Sequence, residues 1–73
     1  MMKTSYKKLW KLLIDRDMTK TDLRKAAGIS SSSLAKLSKD ENVTTDILMR
    51  ICSALNVGLN DIVEAVKEDN LSE

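Results

Sequence analysis

Apolar residues recur in this chain at intervals of three and four, in short segments that no proline interrupts. The chain has no Pro and two Gly, and its β-branched residues are scattered rather than alternating. That combination predicts helices. From Ser5 to about Arg16, "SYKKLWKLLIDR" sets Tyr6, Leu9, Trp10 and Leu13 at i, i+3, i+4 and i+7. These form one face of an amphipathic helix, with Lys7, Lys8 and Lys11 pointing elsewhere. Thr19 offers an N-cap with Asp22 three residues on, close to a capping box. Leu23, Ala26 and Ala27 give the inner face of a short second helix, which Gly28 ends in a left-handed turn.

Four serines come next, Ser30 to Ser33. A serine run usually suggests a tether. Here, however, Leu34 and Leu37 fall about 60° apart when the chain is wound at about 100° per residue. Ser32, Lys36 and Lys39 fall on the opposite side, with Ser31 and Ala35 flanking them. The serines are therefore the polar opening of a third helix. Past the polar loop "KDENV", Thr44 caps a fourth helix from about Thr45 to Leu55, with Leu48, Ile51 and Leu55 inward and Ile47 and Cys52 at the edges. Asn56 suits its left-handed end. Gly58 then starts a fifth helix, with Leu59, Ile62, Val63 and Val66 at i, i+3, i+4 and i+7. The expected fold class is all-α with five helices, as one domain over 1–73. Residues 1–4 are expected as a short flexible lead, and about 68–73 as an acidic tail.

At 73 residues with one Trp, one Tyr and no Phe, the core must be aliphatic. A single Cys and no His leave no cluster for zinc and no disulfide within the chain, so no metal or cofactor is expected. Cys52 reads as a buried structural thiol. No apolar run suits a signal peptide or a membrane span, which places the chain in the cytoplasm. The N-x-[ST] matches at Asn42 and Asn70 then carry no glycosylation meaning.

The formal net charge of +1 conceals a strong polarity. Residues 1–39 hold ten Lys/Arg against three Asp, net +7, while residues 40–73 hold two Lys/Arg against eight Asp/Glu, net −6. One half suits a polyanion and the other does not. The second and third helices explain how. Small Ala26 and Ala27, a positive φ at Gly28, and Ile29, Leu34 and Leu37 clamped to the core make a helix-turn-helix. The third helix is left standing proud, with a shape that fits the major groove of B-DNA.

With those residues in place, "MTKTDLRKAAGISSSSLAKLSK" resembles the helix-turn-helix of Cro/CI-type transcriptional regulators, and "NVTTDILMRICSALNVGLNDIVE" resembles the last two helices of the same fold. The likeness runs from about Tyr6 to Val66 and rests on Leu23, Ala27, Gly28, Ile29, Leu34 and Leu37 as a set. It implies a lambda-repressor-like DNA-binding domain of the compact kind that lacks a ligand-sensing domain. It also implies that Ser31, Ser32 and Lys36 face base edges, with Ser30 at the start of the helix. Lys20, Thr21 and Lys39 would lie near phosphates, with backbone N–H donors from the second helix beside them. The implied partner is double-stranded DNA, bound by a homodimer joined through the C-terminal helices, with no membrane and no small-molecule ligand. The chain departs from the family pattern in two ways: Arg24 stands where a small Ala is usual, and Asp40 and Glu41 occupy a loop that is often basic.

Ser33 and Lys36 spell S-x-x-K, but the companion S-D-N and K-T-G motifs are absent and 73 residues cannot build that enzyme fold. No phosphate loop or carboxylate dyad appears either, and no enzyme is expected. The alternative is a small helical protein-interaction module, adaptor or antitoxin-like, using its acidic half. Met49 and the region from Val57 to Leu59 would then supply an apolar contact patch.

Overall fold

A computed structural model of the protein describes residues 2–67. Among these residues there are four α-helices: α1 (Lys7–Asp15), α2 (Lys20–Ala27), α3 (Ser31–Ser38) and α4 (Thr45–Leu55). A two-stranded antiparallel sheet joins the ends of the described chain, β1 (Met2–Ser5) with β2 (Glu64–Lys67). Its register sets Met2 opposite Lys67 and Ser5 opposite Glu64.

Three of the four helices start on the expected residue type. Thr19, Ser30 and Thr44 each accept the backbone N–H three residues ahead, from Asp22, Ser33 and Ile47. Each bond satisfies one donor that a helix start leaves open, and replacing such a cap by Ala costs about 1 kcal/mol. The helix ends share one device. Among the described residues Asp17, Gly28, Asp40 and Asn56 have positive φ, at 57–67°, and one comes after each helix. In every case the next residue donates its N–H back five positions: Met18 to Leu13, Ile29 to Arg24, Glu41 to Lys36 and Val57 to Cys52. This is the closure that a left-handed residue makes possible.

The core is aliphatic around one aromatic ring. Tyr6, Leu9, Leu23, Leu37, Ile51, Leu55 and Ile62 are completely enclosed. Leu37 anchors α3 and Leu23 anchors α2, and truncating either to Ala would cost about 2–5 kcal/mol. Cys52 is buried, as expected, and burial pushes its thiol up from 9.0, with the Asp61 carboxylate adding to the effect. The Arg16 guanidinium donates to the Leu55 carbonyl, satisfying the end of α4.

The fifth helix is not formed. Gly58 instead starts a single 3-10 turn, Leu59–Asp61, in which the Asp61 carboxylate accepts the Gly58 N–H at 3.0 Å. Ile62 then enters the core and the chain becomes β2. The physical reason is the company these residues keep. Ile62, Val63 and Val66 are β-branched, and β1 offers this segment a strand to pair with. The expected flexible lead is likewise replaced by β1. The acidic tail lies outside the described residues.

Several burial assignments also shift. Ala26 faces solvent while Ala27 is buried, and Leu34 and Leu48 are half-buried rather than enclosed. Arg24 is half-buried, so the inner row of α2 is Leu23 and Ala27 and needs no small residue between them. Trp10 packs on the edge of the core, half-buried. No helix among the described residues is long and apolar enough to cross a membrane.

Candidate nucleic-acid interface

The unit α2–turn–α3 is fixed from both ends. At the start of α2 the capping box is complete: the Thr19 hydroxyl accepts the Asp22 N–H at 3.1 Å, and the Asp22 carboxylate accepts the Thr19 N–H at 3.0 Å. The Thr19 N–H and, after it, the Thr19 side chain hold the Asp22 carboxyl below its ordinary range. They also turn its charge back onto the backbone, which leaves Lys20 and Thr21, both exposed, at the mouth of the helix. At the other end Gly28 takes φ 67°, and Ile29 drops into the core with only 4 % of its surface exposed.

The outer face of α3 carries Ser31, Ser32, Ala35 and Lys36, all exposed, while Leu37 on the opposite side is fully buried. The serines are not equivalent. Ser30 is the N-cap, its hydroxyl 3.1 Å from the Ser33 N–H and within hydrogen-bond distance of the Ser32 and Ser33 hydroxyls. Ser31 makes no side-chain hydrogen bond among the described residues, and neither does Lys36. These two present unspent donors and acceptors, whereas Ser30 is committed to its own helix. Ser33 is half-buried, and its hydroxyl accepts from the Ser30 hydroxyl at 3.1 Å.

Of the cationic candidates, Lys39 caps the end of α3 and is exposed. Lys20 is held more closely than the sequence suggests. Its ammonium lies 4.4 Å from the centre of the Trp10 ring and donates to the Ser38 hydroxyl at 3.3 Å. One side chain of α2 therefore bridges α1 and α3. Such a cation–π contact at a partly exposed ring contributes about 0.5–1 kcal/mol. Among the described residues the one ion pair is Arg50–Asp46 on α4, at 2.9 Å. None of the lysines of the first three helices forms an ion pair among the described residues, and the net positive charge of that half favours an anion.

The acidic loop after α3 has a structural task that its sequence does not announce. Asp40 accepts the Tyr6 N–H at 3.2 Å, and the Tyr6 hydroxyl donates to the Glu41 carbonyl at 2.9 Å. Thr4 donates to the Asn42 side chain at 2.7 Å. Burial pushes the Tyr6 phenol up from 10.0 and the Asp40 charge adds to it, while the Val43 backbone works the other way. Arg50 also comes near the α2–α3 turn from far along the chain. Its guanidinium lies 3.8 Å from the point where a Cβ on Gly28 would stand. No local signal marks either contact, since both join residues far apart in the chain.

The crystal structure of the transcriptional regulator VanUg, in its form II, shares 57% sequence identity with the chain at a TM-score of 0.89. The match covers 92% of this chain and 89% of that one. No curated protein matches. The model of the Cro/C1-type HTH DNA-binding domain matches residues 8–68, which take in the turn between α2 and α3 and nearly all of the four helices, and the chain belongs to that family.

Proposed function

We propose that the protein is a sequence-specific DNA-binding regulator of transcription that reads the major groove with α3. The observation that carries this reading is the division of α3 into a buried leucine side and an exposed side. On the exposed side, Ser31 and Lys36 keep their polar groups free of partners among the described residues, and Ser32 is bonded only to the Ser30 hydroxyl. Lys36 donates to guanine O6 or N7, and the serine hydroxyls donate or accept at base edges. Ser30 lies at the start of the same face but is held as a cap, so its part is to fix the first turn. Lys20, Thr21 and Lys39 flank the groove at phosphate positions, with the free N–H groups at the start of α2 beside them. A reading face this rich in serine draws much of its affinity from charge, with DNA shape adding to selectivity.

A single module of this size covers little DNA, so the working form is a homodimer on a two-fold site with half-sites about 34 Å apart. The surface for the second copy is the acidic half. With no fifth helix among the described residues, that half consists of α4, the 3-10 turn and β2, where Met49 and Leu59 are exposed. Keeping the net negative half away from phosphates accounts for the charge polarity.

The test is selection from a random duplex pool, then anisotropy titration of the winner and of a scrambled duplex at several salt concentrations. Enrichment of a two-fold site bound more tightly than scrambled DNA is the expected result. No enrichment, with no salt-dependent binding, overturns the reading and makes the outer face of α3 a protein-docking surface.

A further inference from the structure

All four helices end on a left-handed residue, but α3 differs from the others in the residue that comes after it. After α1, α2 and α4 that residue is apolar: Met18, Ile29 or Val57, each at least half-buried against the core. The apolar side chain pins the helix end to the body of the protein. After α3 it is Glu41, which is exposed. The left-handed residue itself is Asp40, where a glycine would carry less strain. An aspartate and a glutamate at these two positions leave the end of α3 without the usual anchor.

Tyr6 takes the place of that anchor. Its ring is 1 % exposed and sits in the core. Its N–H bonds the Asp40 carboxylate and its hydroxyl bonds the Glu41 carbonyl. Glu41 in turn donates its N–H to the Lys36 carbonyl at 2.9 Å, and Asp40 donates to the Leu37 carbonyl at 3.1 Å. The chain of bonds thus runs from a core tyrosine to the backbone of the exposed lysine on the reading face. We propose that Tyr6 is a positioning residue for α3: by gripping the chain at Asp40 and Glu41 it fixes the end of the helix and hence the place from which Lys36 and Lys39 meet DNA. The proposal rests on the reading of the protein as DNA-binding. It also gives a reason for Asp40, which supplies its carboxylate, whereas Glu41 takes part through its backbone alone.

Three variants separate the parts. Tyr6→Phe keeps the ring in the core and removes the donor to Glu41. Asp40→Gly accepts the left-handed conformation and removes the carboxylate, while Asp40→Asn tolerates that conformation and keeps a side-chain oxygen acceptor. Asp40→Asn also controls for the lost negative charge, which alone would favour binding to any DNA. Each is checked for native circular dichroism and titrated, well below its melting temperature, against the selected duplex and a scrambled one. Tyr6→Phe is expected to bind the selected duplex roughly three- to tenfold more weakly, with its preference over scrambled DNA reduced. Asp40→Gly is expected to fall below Asp40→Asn in the same way. The salt slope is expected to stay that of wild type, because no phosphate contact is removed. Wild-type affinity in Tyr6→Phe, equal binding by the two Asp40 variants, or a salt slope lowered by about one overturns the proposal. Should wild type bind no duplex at all, the DNA-binding reading falls and the grip is read by amide hydrogen exchange. Faster exchange at Lys39, Asp40 and Glu41 in Tyr6→Phe and Asp40→Gly than in Asp40→Asn supports it, and unchanged exchange overturns it.

Discussion

Replacing Gly28 by Ala tests the joint on which the α2–α3 angle depends. The glycine sits at φ 67° and ψ 37°, in the left-handed region. A Cβ there would approach no atom closer than the Arg50 guanidinium at 3.8 Å, an ordinary contact. Space is therefore not the obstacle, and the cost lies in the backbone. Left-handed geometry costs a residue with a Cβ about 1–2 kcal/mol. The alanine also restricts the unfolded chain, which offsets about 0.4–1 kcal/mol of that. The net loss is about 1 kcal/mol, which for a domain of this size lowers the melting temperature by about 4–8 °C. Thermal unfolding monitored by circular dichroism reads it directly. Asn tolerates positive φ better than Ala, and Val tolerates it worse. The expected order of melting temperatures is therefore Gly, then Asn, then Ala, then Val. An alanine variant that melts with wild type or above it would show that the turn does not depend on positive φ, and the assignment of Gly28 as the hinge of the motif would fail.

Three other outcomes are expected. Lys36→Ala weakens binding to the selected site and relaxes preference at one base pair, by about 1–3 kcal/mol for a base-specific contact; unchanged affinity and preference in the titration removes Lys36 from the reading face. Lys20→Ala weakens binding to all sequences alike and flattens the salt slope by about one. In wild type, Trp10 emission changes on adding DNA as the ammonium leaves the ring for a phosphate. Emission that stays constant through saturation shows that Lys20 remains a strut between helices and contacts no phosphate. Asp22, whose folded pKa lies below its ordinary 3.8, contributes stability that is present above that value and lost as pH falls through the lower one. Asp22→Asn is thus expected to melt below wild type at neutral pH, with the gap closing in acid. A gap that persists unchanged at the lowest pH would mean the carboxylate charge plays no part in the cap.

The first four helices are legible in the sequence because each carries its own instructions within a few residues. Thr19, Ser30 and Thr44 mark starts by a side-chain oxygen that finds an N–H three residues on, and Gly28 and Asn56 mark ends by their tolerance of positive φ. The C-terminal segment misleads for an equally physical reason. Leu59, Ile62, Val63 and Val66 satisfy a helical period, but over so short a stretch the period cannot outweigh a partner strand at the other end of the chain. β1, "MKTS", has no apolar alternation strong enough to announce it. A strand of four residues is written in the pairing and not in either segment.

The candidate site divides along the same line. Its outward residues, Ser31, Ser32 and Lys36, come from helical phase alone once Leu37 is placed inside. The contacts that hold them in place do not. Asp17 and Asp40 take the same backbone conformation as Gly28, yet an aspartate in a surface loop carries no mark of it. The mark lies one residue later, where an apolar side chain after a helix implies a left-handed step before it. Met18, Ile29 and Val57 carry that mark, and Glu41 does not. The helix proposed to meet DNA is therefore the one whose end is least legible locally, because its anchor lies not in the adjacent residue but in Tyr6, far away in the chain. A local anchor stiffens a helix end against its own body. A remote one ties the position of the reading face to the closure of the terminal sheet, since the segment that carries Tyr6 continues directly from β1.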